Sequence, residues 1–190
     1  MRLLAHSLPV CGLLAAGAVL LMCAPFAQRA WATDQNQDNS TVENLLDQAK
    51  FQAYRLHTDA DQMTILVRSQ IGWQAKSDEL ARIRRHVNDL GKLIADLQSS
   101  RVDASPWQKE AVDEMVPDLR ELAAITTSEI EFLNAHQDWP NGPQYTKWAN
   151  ESDSASGDLA NLTAEAVKYG EDRSQLAMLS GDLGLPARSH

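Results

Sequence analysis

From Val42 onward the apolar residues recur in alternating steps of four and three, and this spacing constrains the fold more than any other feature of the chain. Val42, Leu46, Ala49, Ala53, Leu56, Ala60, Met63 and Val67 form the first such series. An α-helix turns once in about 3.6 residues, so these side chains line one narrow stripe, a coiled-coil-like seam. Several of them are small, which lets a neighbouring helix approach closely. No run sustains the alternation of a half-buried strand, so the chain reads as all-α.

A second seam runs through Trp73, Leu80, Ile83, Val87, Leu90, Ile94 and Leu97, one residue out of phase with the first. Gly72 stands where the register changes. Glycine costs about 1 kcal/mol inside a helix, and a continuous rod would leave both seams short of partners. A turn is therefore expected there in preference to a local irregularity. Ser105-Pro106-Trp107-Gln108 is a helix start: an N-cap serine, a proline at the first helical position, and a glutamine that closes a capping box. Ser40 with Glu43 reads the same way for the first helix.

The third seam carries Val112, Met115, Leu119, Leu122, Thr126, Ile130 and Leu133. Pro117 lies inside it, which predicts a kink and a freed carbonyl at Asp113, with Arg173 as a partner for that carbonyl or for Asp113, Glu114 or Asp118. Asp138 to Pro143 is a dense turn signal. Tyr145, Trp148, Ser152, Ala155, Leu159, Leu162, Ala166, Tyr169, Arg173, Leu176 and Leu183 then fit one heptad frame, closed by Gly184 and Pro186. Four long helices with short connections predict an up-down-up-down antiparallel four-helix bundle over residues 40–183.

Residues 1–32 have the pattern of a signal peptide: Arg2, an apolar run from Leu13 to Met22, and Ala30-Trp31-Ala32 as a small-x-small cleavage pattern. A retained anchor is the alternative, but the run is short for a span of roughly 20 residues, and Pro25, Gln28 and Arg29 close it. Met22 stands where a lipobox before Cys23 would need a small residue. Residues 33–39 (TDQNQDN) contain no apolar residue and read as a flexible leader, and residues 184–190 as a flexible tail. Both cysteines, Cys11 and Cys23, fall in the signal, so the expected mature chain has no disulfide and no thiolate. The net charge of −9 becomes more negative when Arg2 and Arg29 leave with it. Such a charge opposes binding to nucleic acid or anionic membranes and tolerates cationic partners. The expected location is periplasmic or secreted, with no stable membrane insertion after cleavage.

Gly72-Trp73-Gln74, Leu80, Arg82 to Asn88, Ala104 to Gln108, Leu119, Glu121-Leu122-Ala123 and Leu133-Asn134 together resemble uncharacterised exported helical proteins of soil Acidobacteria. The resemblance covers most of the expected mature chain. It implies a bacterial, extracytoplasmic helical protein and carries no activity, cofactor or catalytic residue with it.

In the expected topology Trp73, Trp139, Tyr145 and Trp148 gather at one end of the bundle, with Val67 and His136 nearby and Trp107 at the other end. Two readings stand: an aromatic mouth for a flat or cationic ligand, or a hydrophobic plug with indole N–H groups facing water. About two turns below, Thr126, Glu129, Ser152, Ala155 and Ala60 make the seams small and polar, with Arg82 and Arg85 near the same height. That layer is either a pocket with a perturbed carboxyl or a polar layer that fixes helix register. The cluster Arg82, Arg84, Arg85 and His86 reads as a solvated face with Asp78–Arg82 and Arg85–Asp89 pairs, or as a site for an acidic partner.

His57 and Asp61 share helical spacing, but two ligands make a weak metal motif. Paired Glu-x-x-His and Cys-x-x-Cys-His motifs are absent from the sequence, as are phosphate loops, nucleotide fingerprints and nucleophile elbows. No cofactor is expected. The expectation is a non-enzymatic binding or interaction module with an unknown protein or small-molecule partner, including a homodimer. The alternative is a small-ligand or cofactor carrier.

Overall fold

The structure, a computed structural model, describes residues 38–183. The expected signal peptide, most of the leader and the tail lie outside the described residues. Four helices account for almost all of what is described: α1 (Ser40–Arg68), α2 (Trp73–Ser99), α3 (Pro106–Ala135) and α4 (Pro143–Asp182), with a 3-10 turn at Ser100–Asp103 between α2 and α3. No strand occurs among the described residues, and no helix there is long and apolar enough to cross a membrane.

The helices form a bundle because each seam finds two others. Val42, Leu46, Leu56 and Met63 of α1 share one buried cluster with Ile83, Leu90 and Leu97 of α2, Val112, Met115 and Leu122 of α3, and Tyr145 and Leu159 of α4. α1 packs on α2 and α4, and α3 packs on the same two helices. Met63 meets Tyr145 while His57 meets Ser156, so residue numbers fall along α1 as they rise along α4. Phe132 meets Tyr145 while Trp107 meets Tyr169, which gives α3 and α4 the same relation.

The helix boundaries follow local chemistry, with corrections. A break does separate α1 from α2, and Gly72 is the N-cap residue of α2. The left-handed backbone position is Gln70, at φ 52°, whereas Gly72 has φ −60°. α1 is capped one residue earlier than expected: Asn39 Oδ1 accepts from the backbone N–H of Thr41 at 2.9 Å and of Val42 at 3.3 Å. Asparagine caps as well as serine does, and Ser40 becomes the first helical residue.

The leader is anchored at its last two residues, since Asp38 Oδ1 accepts from Trp107 Nε1 at 2.6 Å and Asn39 caps α1. Arg173 therefore does not serve the Pro117 region: its Nε donates to Asp38 Oδ2 at 3.1 Å. Asp113 is taken by Arg101, whose Nε donates to Asp113 Oδ1 at 3.1 Å. α3 continues through Pro117 as one helix.

Candidate functional site

The end of α3 and the start of α4 enclose the most unusual chemistry of the bundle. The turn Asp138 to Gly142 brings Phe132, near the end of α3, against Tyr145 in the first turn of α4. Phe132 stacks on His136 at 4.1 Å between centroids, stacks on Tyr145 at 5.5 Å and meets Trp148 edge-on at 6.0 Å. Tyr145 is wholly buried, and its hydroxyl donates to Met63 Sδ at 3.5 Å. The buried Lys76 of α2 closes this end. Its Nζ donates to Pro140 O at 3.3 Å and to Asn141 Oδ1, and lies 5.5 Å from the Tyr145 ring centroid. Burial lowers the pKa of that ammonium.

One turn back from Phe132 on α3 sits Glu129, with no solvent exposure. Neither of its carboxyl oxygens has a hydrogen-bond partner. The hydroxyls of Thr126, three residues earlier, and of Ser152 on α4 are also buried without a partner. Phe132 faces Tyr145 and Trp148 across the α3–α4 interface, so the opposed numbering puts residues 126–129 level with 149–152. Met63 against Tyr145 and His57 against Ser156 bring Ala60 to the same height. Ala60 and Ala149 are buried at that height and carry no polar side-chain atom.

Two other buried hydroxyls are bonded within their own helix, Ser156 donating to Asp153 O at 2.9 Å and Thr163 to Leu159 O at 2.9 Å, whereas Ser105 Oγ at the start of α3 also lacks a partner. Burial pushes the Glu129 pKa up from 4.5 to about 8. The Tyr145 phenol is held far above its ordinary range, first by burial and then by the Glu129 charge.

The structure thus buries Thr126, Glu129, Ser152 and Tyr145 and half-buries Trp148 against the core. The helix order sets Trp73, Trp139, Tyr145 and Trp148 at one end of the bundle, but their rings do not form one group. Trp73 and Trp139 are 37 % and 64 % exposed, and neither is in a ring pair among the described residues. Trp73 is the first residue of α2, and Trp139 lies in the connection between α3 and α4. Phe132 and His136 stand in their place. Lys76 carried one sequence signal: the step of seven from Trp73 to Leu80 leaves a seam position that it fills.

A groove of about 180 Å³ between α2 and α3 lies outside this centre, lined by Leu80, Arg84, Ile130, Leu133 and Asn134 among others. Two residues of the basic cluster on α2, Arg82 and His86, reach α1. Arg82 bonds the buried Glu79 and reaches Asp59 at 4.0 Å, and His86 pairs with Asp59 at 3.3 Å. Asp89 pairs with Lys92, in place of Arg85. His57 turns to Asp153 at 3.4 Å and away from Asp61. No group of three or more metal-ligating side chains occurs among the described residues.

No protein-family model, curated protein or solved structure matches the chain.

Proposed function

We propose that the chain is a non-enzymatic binding module, an exported up-down-up-down antiparallel bundle that carries a small ligand on the Glu129 centre. One observation supports the reading: Glu129 Oε1 and Oε2, Thr126 Oγ1 and Ser152 Oγ are all shut away from water without a partner. A buried polar group left unsatisfied costs about 1–3 kcal/mol. A ligand that donates hydrogen bonds, such as an amine or an amide, would offset that cost at four atoms together. The Met63 thioether and the Phe132 and Tyr145 rings would hold its apolar part. Bundle interiors are common places for such sites.

Native mass spectrometry of protein purified gently from its own host tests the proposal. A stoichiometric adduct is expected, lost in Glu129→Leu while helicity is retained. A clean mass in the unaltered protein, or an adduct indifferent to Glu129→Leu, overturns it.

A second reading, an interaction module that includes a homodimer, has its own observation. Leu176, Met178, Leu179 and Leu183 on the last turns of α4 are 56–68 % exposed. No residue of α4 after Gly170 is buried.

A further inference from the structure

At the opposite end of α3 from Glu129, the start of α1 and the second half of α4 leave a groove of about 170 Å³ between them. Its floor is apolar, formed by Leu46 and Val167 with the ring of Trp107 against Gly170. Its rim is acidic, with Glu43, Asp47 and Glu171. The ring is fixed before any ligand arrives. Its Nε1 donates to Asp38 at 2.6 Å, and Tyr169 packs on it edge-on with centroids 5.3 Å apart. Gly170 permits the close approach, since a Cβ there would lie 3.0 Å from Trp107 Cη2.

The neighbouring cations leave the rim its negative character. Arg173 is engaged by Asp38 at 3.1 Å. Lys50 meets Asp47 at 3.3 Å in an exposed pair, of a kind that exchanges readily with competing charges.

We propose that this groove binds a small organic cation with an apolar body, of the substituted-ammonium class, seated on the Trp107 ring among Glu43, Asp47 and Glu171. The negative face of an indole attracts a cation, and a methylated ammonium gives up water more easily than a bare one. The rim carboxylates add charge complementarity and repel anions. Crowding of negative charge is already felt by Glu43, whose carboxyl is held above its usual range by burial and then by Asp38 and Asp47. A cation seated beside it relieves the charge repulsion. The groove has the volume of about five to six waters. That suits a free small molecule made of a trimethylammonium headgroup with a short tail.

Choline chloride titrated into the whole chain, followed by the NMR signals of the indole N–H groups, tests the proposal. A saturable shift of the Trp107 signal is expected, with half-saturation near about 1 mM or below. The neutral isostere of choline, with carbon in place of nitrogen, binds about tenfold more weakly. The Glu43→Gln/Asp47→Asn pair, on an accessible rim, keeps the fold and weakens choline by about tenfold. Trp107→Leu removes binding; if it also lowers helicity, the rim variant carries the test alone. No saturable shift, equal binding of the neutral isostere, or choline affinity unchanged in the rim variant overturns the proposal.

Discussion

A carboxyl group with neither partner nor water keeps its proton, and Glu129 is in that position. Its pKa is pushed from 4.5 to about 8 by burial. The folded chain therefore holds a proton that the unfolded chain releases between those two values. Below about pH 4.5 the group adds no pH dependence; from there stability falls as pH rises, and the loss is complete above about pH 8. Glu129→Gln removes this slope without changing the size of the side chain. The expected outcome is a variant that gains on the unaltered protein as pH rises through that window, measured as urea midpoints at several pH values. Parallel curves for the two proteins would show that Glu129 is satisfied in solution. Glu129, Thr126 and Ser152 were legible in the sequence as a polar layer, because they fall on or beside seam positions whose helices lie opposite. Their lack of partners was not legible, since it depends on how the facing side chains pack. Gln70 was also hidden: with Gly72 two residues on, nothing in the sequence says that glutamine takes the left-handed position.

Between residues and the molecule stand the helix ends, and Gln108 joins two of them. Its Oε1 accepts from Ser105 N at 3.0 Å, the capping-box bond the sequence predicts. The same oxygen accepts from Asn39 N at 3.1 Å, and its Nε2 donates to Asn39 O at 3.1 Å. One buried amide thus completes the start of α3 and ties down the start of α1. The local half was legible because it is written in four consecutive residues. The other half, like the Asp38 link between Trp107 and Arg173, joins positions 69 or more residues apart, and only packing brings them together. Gln108→Leu keeps the volume and strands the backbone N–H groups of Ser105 and Asn39, while Asn39 O keeps its bond from Glu43 N at 3.0 Å, so it should destabilise the fold by about 2 kcal/mol. Amide hydrogen exchange locates the effect: protection should drop at Asn39 and Ser105 together. A drop at Ser105 alone would show that the cross-helix half contributes nothing.

For the molecule as a whole, the four seams identified the helices and their partners, because a 3.6-residue period with alternating steps has few other solutions. They gave no sign of where bundle packing stops, since the fourth seam continues through Leu176 to Leu183 in the same frame. α4 has 40 residues against 30 in α3. The ten extra residues extend about 15 Å, and the apolar side chains on the last turns are more than half exposed. Replacing Leu176, Leu179 and Leu183 with serine should therefore leave thermal unfolding nearly unchanged, within about 0.5 kcal/mol per site. Four exposed side chains make a small patch, so association through it is expected to be weak and concentration-dependent. Sedimentation of the unaltered chain at rising concentration should show a monomer that begins to associate, and the triple variant should remain monomeric throughout. Were the variant to unfold markedly earlier, the end of α4 would be packing on the bundle in solution, and the interaction reading would lose its surface.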